Sequence, residues 1–161
     1  MHPHKTNAAR ILDKIPVSYD LISYPVDEDH LNAIHVAEQM GQPSEQVFKT
    51  ILVRGDKTGV FVCVIPGALE VNLKNAASVS GNKKVETVAV KELFTLTGYI
   101  RGGCSPIGMK KKYPVYLDKQ ALEFSSIYIS AGQRGLQLKL NPTDLQQVVD
   151  ATICTLTDTN S

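Results

Sequence analysis

The fold is decided by the stretch Val47-Phe48-Lys49-Thr50-Ile51-Leu52-Val53, which is followed by Asp56-Lys57-Thr58-Gly59 and by Val60-Phe61-Val62-Cys63-Val64-Ile65. Side chains alternate between the two faces of a strand, and both faces of the first segment are largely apolar. Such a strand is typical of the inside of a sheet. The short polar turn between the two apolar segments predicts a hairpin.

Helices and strands mix around this hairpin without a regular strand–helix–strand rhythm. Helices are predicted at Asn7–Ile15 with Thr6 as N-cap, Ile34–Met40, Leu73–Val79, Val90–Leu96 and Asp144–Ala151, the last capped by Asn141 or Thr143. Further strands are predicted at Val17–Tyr24, Pro114–Leu117, Ser126–Ser130, Leu136–Leu140 and after Ala151, with a helical turn at Lys119–Phe124. We therefore expect a mixed α/β (α+β) fold, one domain over residues 1–161, with a largely antiparallel mixed or barrel-like sheet flanked by short helices.

Composition excludes several classes of protein. The chain has 161 residues, a formal net charge of +1 and 43% hydrophobic residues, which is too apolar for a disordered chain. No apolar run is long enough for a membrane span or a secretion signal. The three cysteines form no C-x-x-C pair, and His30 and His35 lack the spacing of a helical metal pair. We expect a cytoplasmic protein with reduced cysteines, no metal and no cofactor.

Charge is distributed unevenly along the chain. From Asp13 to Asp56 there are eight acidic and three basic residues, whereas from Lys74 to Lys119 there are nine basic and three acidic residues. The basic segment is either a polyanion-binding face or a solvated lysine-rich surface. Its candidate contacts to nucleic acid are Lys83, Lys84, Arg101, Lys110, Lys111 and Lys112.

Lys49 is an unusual residue for its position. The period of two places it on the same face as Ile51 and Val53, near the start of an internal strand. A buried lysine needs an anionic partner. Lys49 is therefore either an edge lysine that reaches solvent or a cation aimed at a phosphate or a developing oxyanion.

Two glycine-rich segments are candidate ligand loops. Gly102-Gly103-Cys104-Ser105-Pro106-Ile107-Gly108 cannot continue a helix or a central strand, and its backbone amides can approach an anion closely. Ser130-Ala131-Gly132-Gln133-Arg134-Gly135 follows an apolar strand, where binding loops often start. Each segment read alone is equally compatible with a structural turn. Cys104 has no histidine partner in the pattern, which argues against a cysteine nucleophile.

Taken in order, these segments resemble the YbaK family of trans-acting aminoacyl-tRNA deacylases. The resemblance rests on Val47-Phe48-Lys49-Thr50, Gly98-Tyr99-Ile100-Arg101-Gly102-Gly103-Cys104-Ser105-Pro106-Ile107-Gly108 and Glu123-Phe124-Ser125-Ser126-Ile127-Tyr128-Ile129-Ser130-Ala131-Gly132-Gln133-Arg134-Gly135, and it extends from about Asn7 to Asp150. Cysteine-specific members often carry an aromatic residue where this chain has Leu31-Asn32-Ala33.

The resemblance implies hydrolysis of mischarged aminoacyl-tRNA, typically Cys-tRNA(Pro), without a metal. It implies that Lys49, Gly102 and Gly103 are catalytic. It assigns the substrate pocket to Tyr24, Thr50, Ser105, Pro106, Ser130 and Gly132.

The implied chemistry needs position and oxyanion stabilisation more than a strong nucleophile, because an aminoacyl ester is already activated. For cysteine, the substrate's own thiol would attack its carbonyl. The expected partners are the tRNA acceptor end and a prolyl-tRNA synthetase, with no membrane and no DNA. The alternative is a non-catalytic module that binds nucleotides or tRNA 3′ ends. An interaction domain would instead have Lys49 exposed and the two loops far apart.

Overall fold

Short helices and strands alternate along the chain in a computed structural model that describes residues 5–158. The helices are α1 (Asn7–Asp13), α2 (Ala33–Met40), α3 (Leu73–Ser80), α4 (Leu93–Thr97) and α5 (Pro142–Val149). The strands are β1 (Tyr19–Ser23), β2 (Phe48–Gly55), β3 (Gly59–Pro66), β4 (Val85–Thr87), β5 (Val115–Asp118), β6 (Ile127–Ser130), β7 (Leu136–Leu140) and β8 (Thr152–Cys154). Single 3₁₀ turns cover Ser44–Gln46, Val90–Glu92 and Lys119–Glu123.

The β2–β3 hairpin is the centre of the fold, as its sequence predicts. The two strands pair antiparallel from Phe48↔Pro66 to Gly55↔Gly59. Phe48 and Leu52 pack into the main core, while Val53 packs on the opposite face into a second cluster. Burial on both faces explains why the strand carries so few polar residues.

Two sheets share the main core. One has the order β4-β2-β3-β5-β8, in which β3–β5 and β5–β8 are parallel pairs and the other pairs are antiparallel. The second sheet, β1-β7-β6, is antiparallel throughout. Leu52 and Val62 from the first sheet join Ile129 and Leu138 from the second in one buried cluster. The predicted mixed, largely antiparallel architecture with flanking helices is confirmed.

The free edge of β2 is divided between two strands. Since β3 occupies one edge of β2, β4 pairs with the other edge, over Val53–Gly55 only. At the opposite end of β2, Val47 forms an isolated parallel bridge with Tyr128 of β6. Within residues 5–158, residues 48–52 therefore have no continuous partner strand on this edge.

The helix boundaries follow local capping chemistry. Side-chain oxygens of Thr6 and Asn141 accept amide hydrogen bonds at the starts of α1 and α5, so Asn141 rather than Thr143 is the cap. Gly41, Gly81 and Gly98 end α2, α3 and α4 in the left-handed conformation, as their positions in the sequence predict.

Two local predictions need correction. The segment Val85–Thr87 forms β4, which the sequence did not indicate because three residues within a charged stretch carry too little periodicity. The predicted helix Val90–Leu96 divides into a 3₁₀ turn followed by α4. Among the described helices, none combines the length and the apolarity that crossing a bilayer requires.

Candidate functional site

A cleft of about 600 Å³ opens along the divided edge of β2. Its floor is residues 47–52, and its walls come from the segment 31–33, from residues 87–93 and from the two glycine-rich loops. Most of the lining side chains are apolar, with a few polar groups among them, which is the usual composition of a small-molecule site. Of the sequence-predicted site residues, the lining includes Lys49, Thr50, Arg101, Gly102 and Ser130.

Lys49 lies at the start of β2 with its side chain 24% exposed. Its Nζ lies 3.5 Å from Glu70 Oε1, and the Glu70 side chain is 92% exposed. A single long contact to a solvated carboxylate holds the ammonium weakly. Lys49 is thus half-buried in the cleft with a partner that an anionic ligand can displace.

The first glycine-rich loop is built around a β-turn. The Gly103 amide donates a hydrogen bond to the Ile100 carbonyl at 2.9 Å, and Gly102 has φ +82°, as the third position of a type II turn requires. The turn therefore occupies the Gly103 N–H. The Gly102 N–H donates to no acceptor within residues 5–158, and Gly102 lines the cleft.

The two glycine-rich loops are in direct contact. A Cβ on Gly103 would lie 3.1 Å from Gln133 Cα and 3.2 Å from the Arg134 backbone nitrogen, so a larger residue would require the loops to move apart by a few tenths of an ångström. Arg134 Nε donates to the Arg101 carbonyl at 2.9 Å, and its Nη1 contacts Glu28 Oε2 at 2.6 Å. Arg134 therefore ties the second loop to the first loop and to the acidic turn before α2.

The second loop presents Ser130 to the cleft. The Ser130 hydroxyl accepts a hydrogen bond from the Gly132 amide at 3.1 Å. A Cβ on Gly132 would lie 3.0 Å from the ring of Tyr99, and Gly132 has φ +102°. Gly132 therefore allows the second loop to pack against the first, but it is not part of the cleft lining.

Four other predicted residues also lie outside the cleft lining. Gly103 and Pro106 are buried, and Ser105 is fully buried with its hydroxyl accepting the Ile107 amide. Tyr24 is half-buried, and its amide donates to the Gly135 carbonyl at 2.9 Å. In this structure these residues support the loops, and substrate contact by them stays a prediction.

The six candidate basic residues do not form one patch. All six are exposed, but only Arg101 reaches the cleft. Lys83 and Lys84 directly precede β4 and lie at the hairpin end of β2, where their amides donate to Asp56 Oδ1. Six residues of strand separate that end from Lys49, a distance of about 20 Å. Lys111 and Lys112 border a separate, smaller cavity near α5.

Cys104 lines the cleft but is unsuited to nucleophilic attack. Burial raises the pKa of its thiol to about 12. A thiol with that pKa has almost no thiolate at neutral pH, and the thiolate is the reactive form.

Sequence reasoning missed Gln137, which lines the same cleft. It lies on β7 opposite Ser130 and is 5% exposed. Its side-chain carbonyl oxygen has no hydrogen-bond partner within residues 5–158. A buried acceptor without a partner is costly, and such groups are often satisfied by a ligand. The signal in the sequence was a polar residue between Leu136 and Leu138, in the strand that follows the loop containing the predicted site residue Ser130.

A second polar cluster lies beside the cleft. It brings together two histidines whose spacing in the sequence did not indicate a metal pair. The rings of His30 and His35 lie 5.0 Å apart, because His30 precedes α2 and so does not follow helical spacing. Both histidines face Asp27 Oδ2. His2 and His4 lie outside the described residues.

The comparisons with known proteins agree with this architecture. The model of the family "Aminoacyl-tRNA editing domain" matches residues 28–148. The chain is 46% identical over 153 residues to the "Putative Cys-tRNA(Pro)/Cys-tRNA(Cys) deacylase EbsC" of Enterococcus faecalis (strain ATCC 700802 / V583), a match that spans 95% of this chain and 93% of that protein. It is 26% identical to the "Uncharacterized protein YwhH" of Bacillus subtilis (strain 168), over 69% of this chain and 70% of that protein.

Solved structures show the same fold at low sequence identity. One described as "a putative trans-editing enzyme for prolyl tRNA synthetase" superposes with a TM-score of 0.81 at 20% identity, covering 97% of this chain and all of that one. A second, "hypothetical protein APE2540", has a TM-score of 0.80 at 22% identity and covers 88% of this chain and 92% of that one. The family match and the relative at 46% identity confirm the resemblance found in the sequence motifs, and this chain belongs to the aminoacyl-tRNA editing domain family.

Proposed function

We propose that this protein is a trans-acting deacylase that hydrolyses mischarged aminoacyl-tRNA, with Cys-tRNA(Pro) as its main substrate. The observation that carries the proposal is one cleft that holds a weakly paired lysine, an unused backbone amide and an unpartnered amide oxygen. These groups belong to Lys49, Gly102 and Gln137. The name of the 46% identical relative supports the choice of substrate.

The cleft suits the end of a charged tRNA. A space of about 600 Å³ is in the range of small-molecule sites and leaves room for an aminoacyl group together with part of the terminal nucleoside. The apolar floor and walls favour an uncharged side chain. The nucleotide and its phosphate would lie toward Lys49, where Glu70 is the only carboxylate that residues 5–158 contribute to the lining.

Hydrolysis of the ester requires stabilisation of the tetrahedral oxyanion. In our proposal the free Gly102 N–H donates a hydrogen bond to that oxygen, and Lys49 binds the terminal phosphate or the ester oxygen. One well-placed oxyanion donor changes the rate by a factor on the order of 10²–10³. The Gly103 N–H is already used within its turn, so Gly103 contributes through the close approach of the two loops.

The nucleophile comes from outside the chain in this mechanism. For a cysteinyl ester, the substrate sulfur forms a bond to its own carbonyl carbon, the ester C–O bond breaks, and the thiol proton ends on the tRNA 3′ oxygen. Water then opens the cyclic thioester and releases cysteine. A free thiol has a pKa of about 8.5, so a useful fraction is ionised near neutral pH, in contrast to Cys104.

Binding of the tRNA would depend on phosphate contacts. Arg101 is placed at the cleft, while Lys83, Lys84, Lys110, Lys111 and Lys112 would reach phosphates further along the acceptor stem. Such contacts weaken with salt and carry little sequence information. Because these contacts do not distinguish one tRNA from another, we infer that a prolyl-tRNA synthetase supplies the choice of tRNA. We also infer that the protein acts in the cytoplasm and that residues 1–161 work as one domain.

The test is release of amino acid from Cys-tRNA(Pro), Ala-tRNA(Pro), Ser-tRNA(Pro) and correctly charged Pro-tRNA(Pro). We expect turnover of the cysteinyl substrate, and the seryl ester is the matched control because it differs by one atom and lacks the thiol. Rapid release from Ser-tRNA(Pro) as well would reject the thiol-assisted step but keep deacylation. Binding of all four substrates without release from any of them would identify a non-catalytic tRNA-end binding module instead.

A further inference from the structure

We propose that Asp27, His30 and His35 form a binding site for one divalent transition metal ion, with Zn²⁺ as the best fit. The site lies next to the cleft wall formed by residues 31–33 and does not depend on the deacylase function. The three residues each offer one ligand atom, and these atoms all lie within 4.8 Å of one another.

Two of the three ligand distances bracket the edge length of a tetrahedral site, and the third is no more than 4.8 Å. Asp27 Oδ2 lies 2.9 Å from His30 Nδ1 and 3.4 Å from His35 Nε2. Zinc binds imidazole nitrogen and carboxylate oxygen at about 2.0–2.2 Å, so two ligands of a tetrahedral ion are about 3.3 Å apart. Small side-chain rotations would therefore admit the ion, and solvent would supply the fourth ligand.

Neighbouring groups hold these ligands in suitable orientations. Asp27 Oδ1 accepts the Asp29 amide at 3.1 Å, which leaves Oδ2 facing the two rings. His35 Nδ1 lies 3.6 Å from Glu38 Oε2, a carboxylate that favours the tautomer with hydrogen on Nδ1. The Nε2 lone pair then faces the side-chain nitrogen of Gln39 at 3.1 Å, so a metal ion on Nε2 would displace the Gln39 amide.

The ligand types of the cluster select the kind of cation. Two imidazoles and one carboxylate select zinc and its neighbours in the first transition row over magnesium and calcium, which prefer oxygen ligands.

The thiols of the chain do not compete well for the ion. Burial raises the pKa of Cys63 and Cys104 to about 12 and that of Cys154 to about 11. Metals bind the thiolate, which is scarce at those pKa values.

The position of the cluster connects it to the cleft wall. The segment between the two histidines contains Leu31, Asn32 and Ala33, all of which line the cleft. A bound ion would join the turn at Asp27 to His35 on α2, and so restrain this wall from outside. The metal is then a structural brace and needs no role in the ester chemistry.

The experiment is calorimetric titration of ZnCl₂ into untagged protein carrying His2→Ala and His4→Ala, which removes the other two histidines. We expect one ion per chain, and a loss of affinity of at least tenfold in His30→Ala and in His35→Ala. Asp27→Asn is expected to weaken binding as well, whereas its matched control Asp29→Asn leaves the affinity unchanged. Circular dichroism of each variant checks that the exposed substitutions preserve the fold.

Three results would overturn the proposal. The first is no binding of zinc to the His2→Ala and His4→Ala protein. The second is binding that survives both His30→Ala and His35→Ala. The third is an equal loss in Asp27→Asn and Asp29→Asn, which would indicate general attraction to the acidic turn. Replacement of zinc by Co²⁺ gives an independent readout, since an absorption band from cobalt–thiolate bonding would place the ion on a cysteine.

Discussion

Each end of strand β2 carries one basic side chain, and the two side chains differ in how firmly an acidic partner holds them. At the hairpin end, Arg54 makes two contacts with Glu92, at 3.0 and 3.4 Å, and both side chains are about equally exposed. At the cleft end, Lys49 makes one contact of 3.5 Å with the much more exposed Glu70. The first pair has the fixed geometry of a structural ion pair, whereas the second leaves its cation available to a ligand.

Two buried side-chain amides, those of Asn82 and Gln137, show the same difference between a group satisfied within the protein and a group left available to a ligand. Near the hairpin, the Asn82 side-chain oxygen accepts the Lys57 and Thr58 amides at 2.9 Å each, and its nitrogen donates to Thr58 and Ser80. In the cleft, the oxygen of Gln137 has no partner within the described residues. Polar groups satisfied by the protein stabilise the fold, while those left unsatisfied in a cleft are the ones available for binding.

The largest expected effect is that of Lys49→Ala. We expect deacylation to fall by a factor on the order of 10²–10³, because Lys49 is the one lysine among the described residues that line the cleft, while the melting temperature changes little. The measurement is single-turnover release of cysteine from Cys-tRNA(Pro), together with thermal unfolding.

Arg54→Ala is the control at the other end of the strand. It should keep full activity and lower the free energy of unfolding only slightly, since the ion pair is exposed to solvent. Near-normal turnover by Lys49→Ala would show that Lys49 has no role in the mechanism. It would also contradict the proposed difference between a ligand-binding Lys49 and a structural Arg54.

Gly102→Val is expected to reduce turnover by more than tenfold. A Cβ at this position meets Leu31 and Arg134 at 3.3–3.4 Å, and the larger side chain would fill the cleft wall beside the free amide. The φ of +82° adds backbone strain of roughly 1–3 kcal/mol.

Gly98→Val is the control that separates occlusion of the cleft from strain in the backbone. Gly98 has the same φ of +82°, but a Cβ there meets only Lys110, at 3.7 Å. We expect it to lose stability and keep activity. Equal losses of turnover in both variants would mean that glycine is needed at position 102 to avoid backbone strain, and not to keep the cleft open.

The two buried amides should respond with opposite signs in unfolding experiments. Gln137→Met removes an unsatisfied acceptor and is expected to raise the free energy of unfolding by about 1 kcal/mol, with a loss of activity of about tenfold. Asn82→Ala leaves the Lys57 and Thr58 amides without their acceptor and should cost about 1–3 kcal/mol without a change in turnover. Urea titrations and kcat/KM for both variants test this, and a Gln137→Met enzyme of normal activity would contradict the proposed binding role.

Much of this arrangement was predictable because it depends on short-range rules. Alternation in β2 correctly predicted an internal strand. It left Lys49 as either an edge lysine that reaches solvent or a cation aimed at a ligand, and the structure places Lys49 in the cleft lining. Glycine after α2, α3 and α4 predicted where those helices end. Each of these signals acts within a few residues, where backbone preferences and burial dominate.

The remainder depends on contacts between segments that are distant in sequence. The approach of Gly103 to Gln133 and the link from Arg134 to Glu28 join segments 30 and 106 residues apart, which periodicity does not report. The open edge beside Lys49 arises because β4 and β6 meet different ends of β2, and β4 is too short to predict. The bond of the Gly103 amide within its own turn is a local feature, which the sequence left open between a structural turn and an anion-binding loop.

The smallest expected effect is that of Cys104→Ala, and it decides between two mechanisms. Cys104 lines the cleft, so a covalent path through its sulfur is geometrically open, but burial raises the pKa of that thiol to about 12. The folded protein therefore keeps this group neutral at pH 7, whereas a substrate thiol near a pKa of about 8.5 ionises readily. We expect less than a twofold change in kcat/KM for Cys104→Ala, and an iodoacetamide reaction that becomes appreciable only well above pH 9. A hundredfold loss, or rapid alkylation at pH 7 that substrate prevents, would move the nucleophile from the substrate to the protein.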